Sequence, residues 1–418
     1  MVASRAKTLL ADGPTRSGRF QQTIEALAGF LACAVSLMVF AAMPAPVQAD
    51  DTLVAVLRDA QALNDMGIAL QSKGDLNGAI ANYREALKLQ PDFVEARHNL
   101  AVALSAKGDH DGAIEEFRNV LRLKPDSAID HGDLGNVFLE KGDADSAIAS
   151  YREALRLQPD LADVHYNLAI ALNSKRDVEG AIAEYRAVNQ LEPDNVNAHN
   201  NLGNALHMKQ DLDGALFHYR EAVRINPKHI SANYNLGLAL QTKGNLPEAI
   251  VQYRIVIGFQ PDHVRAHNNL GTGLQASGDL DGAIAEYRAV LALQPDHTKA
   301  QYNLGTALQA KGDLDGAIQE YREVIRAEPT HLKARYNLGV ALQAKGELEQ
   351  ATAQFRQVVT LREDYPDAHY ALGEVLRQTG RTTEAAQAYQ RYLDLETDAP
   401  ETHARRESAR MRLKDLGS

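Results

Sequence analysis

The sequence predicts an all-α fold of ten consecutive helix–turn–helix repeats, and three observations carry that prediction. Eight prolines, Pro91, Pro125, Pro159, Pro193, Pro227, Pro261, Pro295 and Pro329, fall 34 residues apart. With the repeat started at Ala60, its twentieth place is Ala in all ten repeats, from Ala79 to Ala385. Its twenty-fourth place is aromatic in all ten, Tyr in eight (Tyr83 to Tyr389) and Phe in two (Phe117, Phe355). This periodicity overrides length, because 418 residues alone suggest roughly two or three ordinary domains.

Ahead of the repeats, residues 1–49 read as an export address. Arg5, Lys7, Arg16 and Arg19 outnumber Asp12 and Glu25, and no charge occurs from Ala26 to Ala49. Residues 26–43 are almost wholly apolar, Pro44 and Pro46 break any helix, and Val47-Gln48-Ala49 precedes Asp50 and Asp51. That is the n-region, h-region and cleavage pattern of a signal peptide. Cleavage after Ala49 removes a net charge of +2 and takes the chain from −11 to −13. The alternative is a retained inner-membrane anchor, since a run this long can span a bilayer and its basic flank points the N-terminus inward. Cleavage is favoured, and either reading places the repeats outside the cytoplasm, in the periplasm or cell envelope. The single cysteine, Cys33, lies in the apolar run, which leaves no disulfide framework and no cysteine metal cage.

Residues 50–59 form a lead-in, and residues 60–399 hold the repeats without insertion. Each repeat reads as two helices. In the seventh, Leu270 and Leu274 lie four apart on one face beside Gly271, and Gly278 closes the first helix. Lys ends this helix in eight repeats, as Lys73 and Lys311 do, at the negative end of the helix dipole. Asp279 and Asp281 offer N-cap oxygens to the second helix, and Pro247 stands where a helix-opening proline is tolerated. The second helix buries Ala283, Ile284, Tyr287, Val290 and Leu291 at three- and four-residue steps, and Pro295 stops it. Gly271 and Ala283 are small enough to let the paired helices approach closely.

This pattern resembles the tetratricopeptide repeat (TPR) family over residues 60–399. It departs from the usual pattern in lacking Trp near the start of the repeat, where His131, His165, His199, His267 and His369 stand. The resemblance implies a TPR solenoid, a right-handed superhelix with an inner groove lined by the first helices. Residues 400–418, with Arg405, Arg406, Glu407, Arg410 and Arg412, read as a polar capping helix, the lid that a stack of repeats needs.

The candidate binding residues lie on the first helices. The sixth place is Asn in seven repeats: Asn99, Asn167, Asn201, Asn235, Asn269, Asn303 and Asn337. A carboxamide has two N–H donors and an acceptor, so it can grip both polar groups of an extended peptide backbone. The repeats also resemble the TPR arm of O-GlcNAc transferases, through Asn-Leu-Gly, Lys-Gly-Asp and Tyr-Arg strings. That resemblance implies that these seven Asn contact bound peptide, although Asp65, Asp133 and Ala371 interrupt the row. The alternative is that Asn here merely suits a helix flank or caps a neighbouring backbone group. At the preceding place, Tyr166, Tyr234, Tyr302 and Tyr336 offer rigid amphipathic contact area for a peptide, or else fill gaps between repeats. Gln241, Gln275, Gln309 and Gln343 form a further row, so the groove reads as polar and largely uncharged. Arg265, Lys299 and Lys333 give one basic strip at the second place, a hint of an acidic ligand or simply a solvated charge row. No repeat has Lys or Arg at places five or six, which excludes a clamp for acidic chaperone tails.

Other chemistries find little support. A net charge of −11 with both signs interspersed is unlike the basic stripe of a nucleic-acid binder. His263 and His267 are four apart, yet His229, His263, His297 and His331 recur at the last place of successive repeats, too far apart to share an ion. They read as loop-facing and unliganded, and no metal is expected. Gly271-Thr272-Gly273 is a fragment of the repeat and not a phosphate loop, and no HExxH, nucleophile elbow or Cys nucleophile occurs. Neither catalysis nor a cofactor is expected. Nine Arg at the twenty-fifth place, Arg84 to Arg356, read as an outward row of surface salt bridges. The sequence thus points to an exported, non-enzymatic scaffold that binds extended peptide or partner proteins, in the setting of an envelope complex, and meets the membrane only through its N-terminal segment. The alternative is a substrate-recruiting arm for a glycosyltransferase supplied by a separate chain or lost from this one.

Overall fold

A computed structural model describes residues 48–397 and 399–417; the apolar run 26–43 and Cys33 lie outside the described residues. Every element among the described residues is an α-helix. By their contacts these residues form two compact blocks, one ending at Pro193 and one beginning at Asp194. The first block pairs Gln48–Ser72 with Leu76–Leu89, Val94–Lys107 with His110–Leu123, Ala128–Lys141 with Ala144–Leu157, and Ala162–Ser174 with Val178–Leu191. The second begins with the pairs Val196–Met208 and Leu212–Ile225, Ile230–Thr242 and Leu246–Phe259, and Val264–Ala276 and Leu280–Leu293. It continues with Thr298–Lys311 and Leu314–Ala327, Leu332–Ala344 and Leu348–Leu361, and Pro366–Gln378 and Thr382–Leu395, then the lone helix Pro400–Leu416. The lead-in is not a separate segment: residues 50–59 belong to the first helix, because no Pro or Gly stands between Asp50 and Ala60 to end it.

The turn inside each pair needs a left-handed residue. Gly278 supplies it at φ +89°, and Gly holds the same place in seven other repeats. Repeats four and five put Arg176 and Gln210 there, at φ +64° and +67°, where Cβ crowds the following carbonyl. The next residue caps the second helix: Asp279 Oδ1 accepts from the Gly282 N–H at 2.9 Å. Asp281 does not share that role. It pairs instead with Lys311 at 2.5 Å, and Lys175 with Asp145, Lys243 with Asp213 and Lys345 with Asp315 repeat the contact between neighbouring repeats. The Asp partners are largely exposed, so each pair adds little stability.

The core of each pair is one ring. Tyr83, Tyr151, Tyr253 and Tyr321 are fully buried, as are Phe117 and Phe355 in the two repeats with Phe. Ala at place twenty is likewise buried throughout. A Cβ built on Gly271 would lie 2.7 Å from Cε1 of Tyr287, so the first helix rests directly on the ring. The buried hydroxyl still requires an acceptor. Gln71, Gln241, Gln275 and Gln309 provide it for Tyr83, Tyr253, Tyr287 and Tyr321 at 2.8–3.0 Å. Burial pushes the Tyr83 phenol up to about 12, so it remains a donor at physiological pH.

Place four latches one repeat to the proline before it. His165 and His267 Nε2 bond the carbonyls of Pro159 and Pro261 at 2.9 Å, and Arg335 and Asn233 reach those of Pro329 and Pro227. Place 34, read from sequence as loop-facing, caps the first helices instead. The Nδ1 atoms of His229, His263, His297 and His331 accept from the N–H groups of Ala232, Ala266, Ala300 and Ala334 at 3.0–3.1 Å. An accepting Nδ1 places the proton on Nε2, and that of His229 reaches Asn197 Oδ1 at 3.1 Å. At the far end, Pro400–Leu416 buries Ala409, and its Arg406 bonds the Leu393 carbonyl at 2.9 Å. The first helix has no such cover among the described residues, and Met66, at a place where Leu is otherwise buried, is 57% exposed.

Two predictions follow from these termini. Arg176→Gly and Gln210→Gly each relieve a left-handed side chain and should raise unfolding stability by roughly 0.5–1 kcal/mol in urea titration. A drop instead would show that the side chains hold the turn. The second concerns pH. Burial holds His263 below the ordinary imidazole value of 6.5, so its folded form is the neutral acceptor. Its stabilisation is complete above 6.5 and is lost as pH falls from there through the lowered folded value. His165 behaves oppositely, because its 2.5 Å bond to Glu184 raises its pKa and its contribution is complete below 6.5. Hydrogen exchange in Val264–Ala276 should therefore speed up between about pH 7.5 and about pH 5.5, beyond the intrinsic trend, and His263→Asn should abolish that excess. The same excess in the variant would remove the cap as its source.

Candidate peptide-binding face

Within each block, successive first helices lie side by side, so their outward sides form one face. Places two, five, six and nine point there or half-way there. The Asn residues at place six are half-buried apart from Asn201, which is nearly closed off at 9% exposure.

Six of the seven Nδ2 groups donate to the preceding repeat. Asn99 donates to Asn64 Oδ1 at 3.0 Å and Asn167 to Asn136 Oδ1 at 2.9 Å. Asn235 donates to both Asn200 and Asn204 Oδ1 at 3.0 Å. Asn269 and Asn337 donate to the hydroxyls of Tyr234 and Tyr302 at 3.1 Å, and Asn303 to Asn268 Oδ1 at 3.4 Å. Asn201 accepts from Asn200 Nδ2 at 3.1 Å. Five of these donors reach place five of the preceding repeat, so the carboxamide row ties repeat to repeat. No bond within the described residues reaches the Oδ1 atoms of Asn235, Asn303 or Asn337, which remain acceptors. Each is oriented by the bond its own Nδ2 makes.

The place-five rings stand on the core rings. Tyr166 lies 5.8 Å from Tyr185, Tyr234 6.0 Å from Tyr253, Tyr302 6.0 Å from Tyr321, and Tyr336 5.8 Å from Phe355. Tyr234 and Tyr302 also meet the capping His263 and His331 at 5.1 and 5.3 Å, and Tyr336 meets Tyr365 at 5.7 Å. Burial holds the Tyr302 and Tyr336 phenols above their usual range. These four rings therefore combine a half-exposed edge with a fixed orientation.

The half-buried Gln row is partly committed to the core. Gln241, Gln275 and Gln309 accept from buried Tyr hydroxyls, while the core ring of the Gln343 repeat is Phe355, which has no hydroxyl. Two place-nine residues, missed in the sequence, act as hubs. Asn136 accepts from Tyr151 and Asn167, and Asn204 from Tyr219 and Asn235. Their signal was available: an Asn at a place that Ile, Val, Leu or Thr occupies in most other repeats.

His263 and His267 use their ring nitrogens on the Ala266 N–H, Glu286 and the Pro261 carbonyl. Among the described residues no three His, Cys, Asp or Glu side chains converge as a metal site. Of the outward Arg row, Arg220 and Arg356 pair with Glu248 and Glu384 of the next repeat.

Sequence profiles of the TPR repeat match residues 67–108, 135–175, 171–210 and 204–244. Further tetratricopeptide repeat profiles match residues 94–127, 268–332, 308–359 and 336–400. Similar solved structures include YrrB, described as a TPR protein with an unusual peptide-binding site, at 24% identity and a TM-score of 0.42, covering 48% of this chain and 100% of YrrB. PilF of Pseudomonas aeruginosa is 21% identical with a TM-score of 0.44, covering 50% of this chain and 95% of PilF. MamA of Desulfovibrio magneticus RS-1 is 22% identical with a TM-score of 0.39, covering 41% of this chain and 96% of its own. No curated protein matches. With profile matches spread along most of the chain from residue 67 to residue 400, this protein belongs to the tetratricopeptide repeat family and is a protein-interaction scaffold.

Proposed function

We propose that the chain is an exported, non-enzymatic scaffold that holds an extended polypeptide across its first helices. One observation carries this: Asn235, Asn303 and Asn337 are fixed by their Nδ2 bonds to the preceding repeat yet keep Oδ1 open. An acceptor oriented beforehand loses little side-chain entropy when a backbone N–H arrives. Half-exposed Tyr rings beside the row add contact area. Export is supported by the apolar run 26–43 and by Val47-Gln48-Ala49 ahead of Asp50.

Binders selected from a random extended-peptide library, mapped by hydrogen exchange on the full chain, should protect the first helices within residues 230–344. Protection confined to the second helices would overturn the assignment. In the Asn303→Ala, Asn337→Ala variant, affinity should fall roughly tenfold, and stability should fall by about 1 kcal/mol per lost inter-repeat bond. Unchanged affinity with lowered stability would show the row to be structural only. For export, N-terminal sequencing of the protein from fractionated cells should find Asp50 outside the cytoplasm or an intact start in the membrane. An intact start in the soluble cytoplasm would refute it.

A further inference from the structure

In the second block, five successive first helices contain no Asp or Glu at all: Val196–Met208, Ile230–Thr242, Val264–Ala276, Thr298–Lys311 and Leu332–Ala344. This is unexpected in a chain with 55 acidic residues and a net charge of −11. It is not a general property of the repeat, because first helices of the other block carry Asp65, Glu95, Asp133, Glu140 and Asp163.

Most cations on these five helices and their neighbours have partners. Lys311 pairs with Asp281, and Arg335 bonds the Pro329 carbonyl and Gln354. Arg265, Lys299 and Lys333 differ. They recur 34 residues apart at place two, all three are exposed, and none forms an ion pair among the described residues. Arg265 lies over the Tyr234 ring at 5.3 Å, which places this charge at the edge of the Asn and Tyr row. In the next repeat place two is Asp367, already paired with Arg405 of the closing helix, so the strip ends there.

We infer that this face selects an acidic extended segment of a partner protein, with Arg265, Lys299 and Lys333 pairing its side-chain carboxylates while the carboxamide row holds its backbone. The inference rests on the peptide-binding reading above and adds its charge preference. Charge complementarity favours this occupant, since the first helices of this face offer an acidic chain three unpaired cations and no competing carboxylate.

The test is fluorescence anisotropy of the full chain with two probes of about twelve residues, an alternating Ser-Glu peptide and an alternating Ser-Gln peptide, both acetylated and amidated so that no terminal carboxylate contributes. The Ser-Glu peptide should bind roughly tenfold more tightly at about 50 mM salt, and that advantage should shrink at about 300 mM. Lys299→Ala and Lys333→Ala should each weaken it roughly twofold, and the triple variant with Arg265→Ala roughly tenfold, down to the level of the Ser-Gln peptide. Arg288→Ala, which removes the same charge from an exposed position on a second helix, should leave binding unchanged. Equal binding of both peptides would overturn the acidic preference while leaving the peptide-binding reading intact. Equal losses from Arg288→Ala and Lys299→Ala would overturn the strip in favour of a diffuse field. Binding of neither peptide, with no exchange protection from library peptides, would overturn both.

Discussion

The approach of the Tyr287 ring to the backbone of Gly271, where a Cβ would stand 2.7 Å from the ring, sets the spacing of the helix pair. The same approach recurs at Gly67, Gly135, Gly203, Gly237, Gly305, Gly339 and Gly373, each over its own place-24 ring. A ring this deeply enclosed is the largest buried side chain of its 34-residue unit, and it demands a small residue opposite. It also demands an acceptor for its hydroxyl. That need recruits Gln at place twelve or a polar residue at place nine, which commits an oxygen of each of those half-buried side chains to the core.

The carboxamide row extends this logic from one pair to the next. Place-six Nδ2 groups reach places five and nine of the preceding repeat, so the groups assigned to ligand recognition also couple neighbouring repeats. Stability in a repeat array is a sum of intrinsic and nearest-neighbour terms, and these bonds belong to the second. A peptide lying on the row would bind groups already held in place by the coupling, so under the proposed function rigidity and recognition would share residues.

Charge is distributed by helix. Lysines that end first helices and arginines on second helices meet acids of adjacent repeats, largely in solvent. The first helices of residues 196–344 carry no acid, and their place-two cations stand apart from this pairing. Pairing inside the scaffold and an unpaired strip on its face are thus separated by which helix a residue occupies.

Much of the fold was legible because its signals are local or strictly periodic. Pro295 ends a helix, Gly278 turns it left-handed, and Asp279 caps the next, each through atoms within a few residues. The period of 34 then multiplies every such signal tenfold, so the sequence by itself determined the helix pairs, their turns and the ring in each core. Legibility failed where a side chain had a choice of partners far along the chain. Asp281 could have capped its own helix, yet Lys311 in the next repeat claims it. His263 was assigned to a loop, yet its Nδ1 caps a helix while its ring meets Tyr234, 29 residues earlier. Asn269 and Asn303 look identical in sequence, yet one donates to a tyrosine hydroxyl and the other to an asparagine oxygen. Only the tertiary structure decided these cases. A hydrogen bond between residues 30 to 35 apart depends on how two helix pairs are rotated against each other, and that rotation is set by the packing of buried rings and small residues rather than by any local preference.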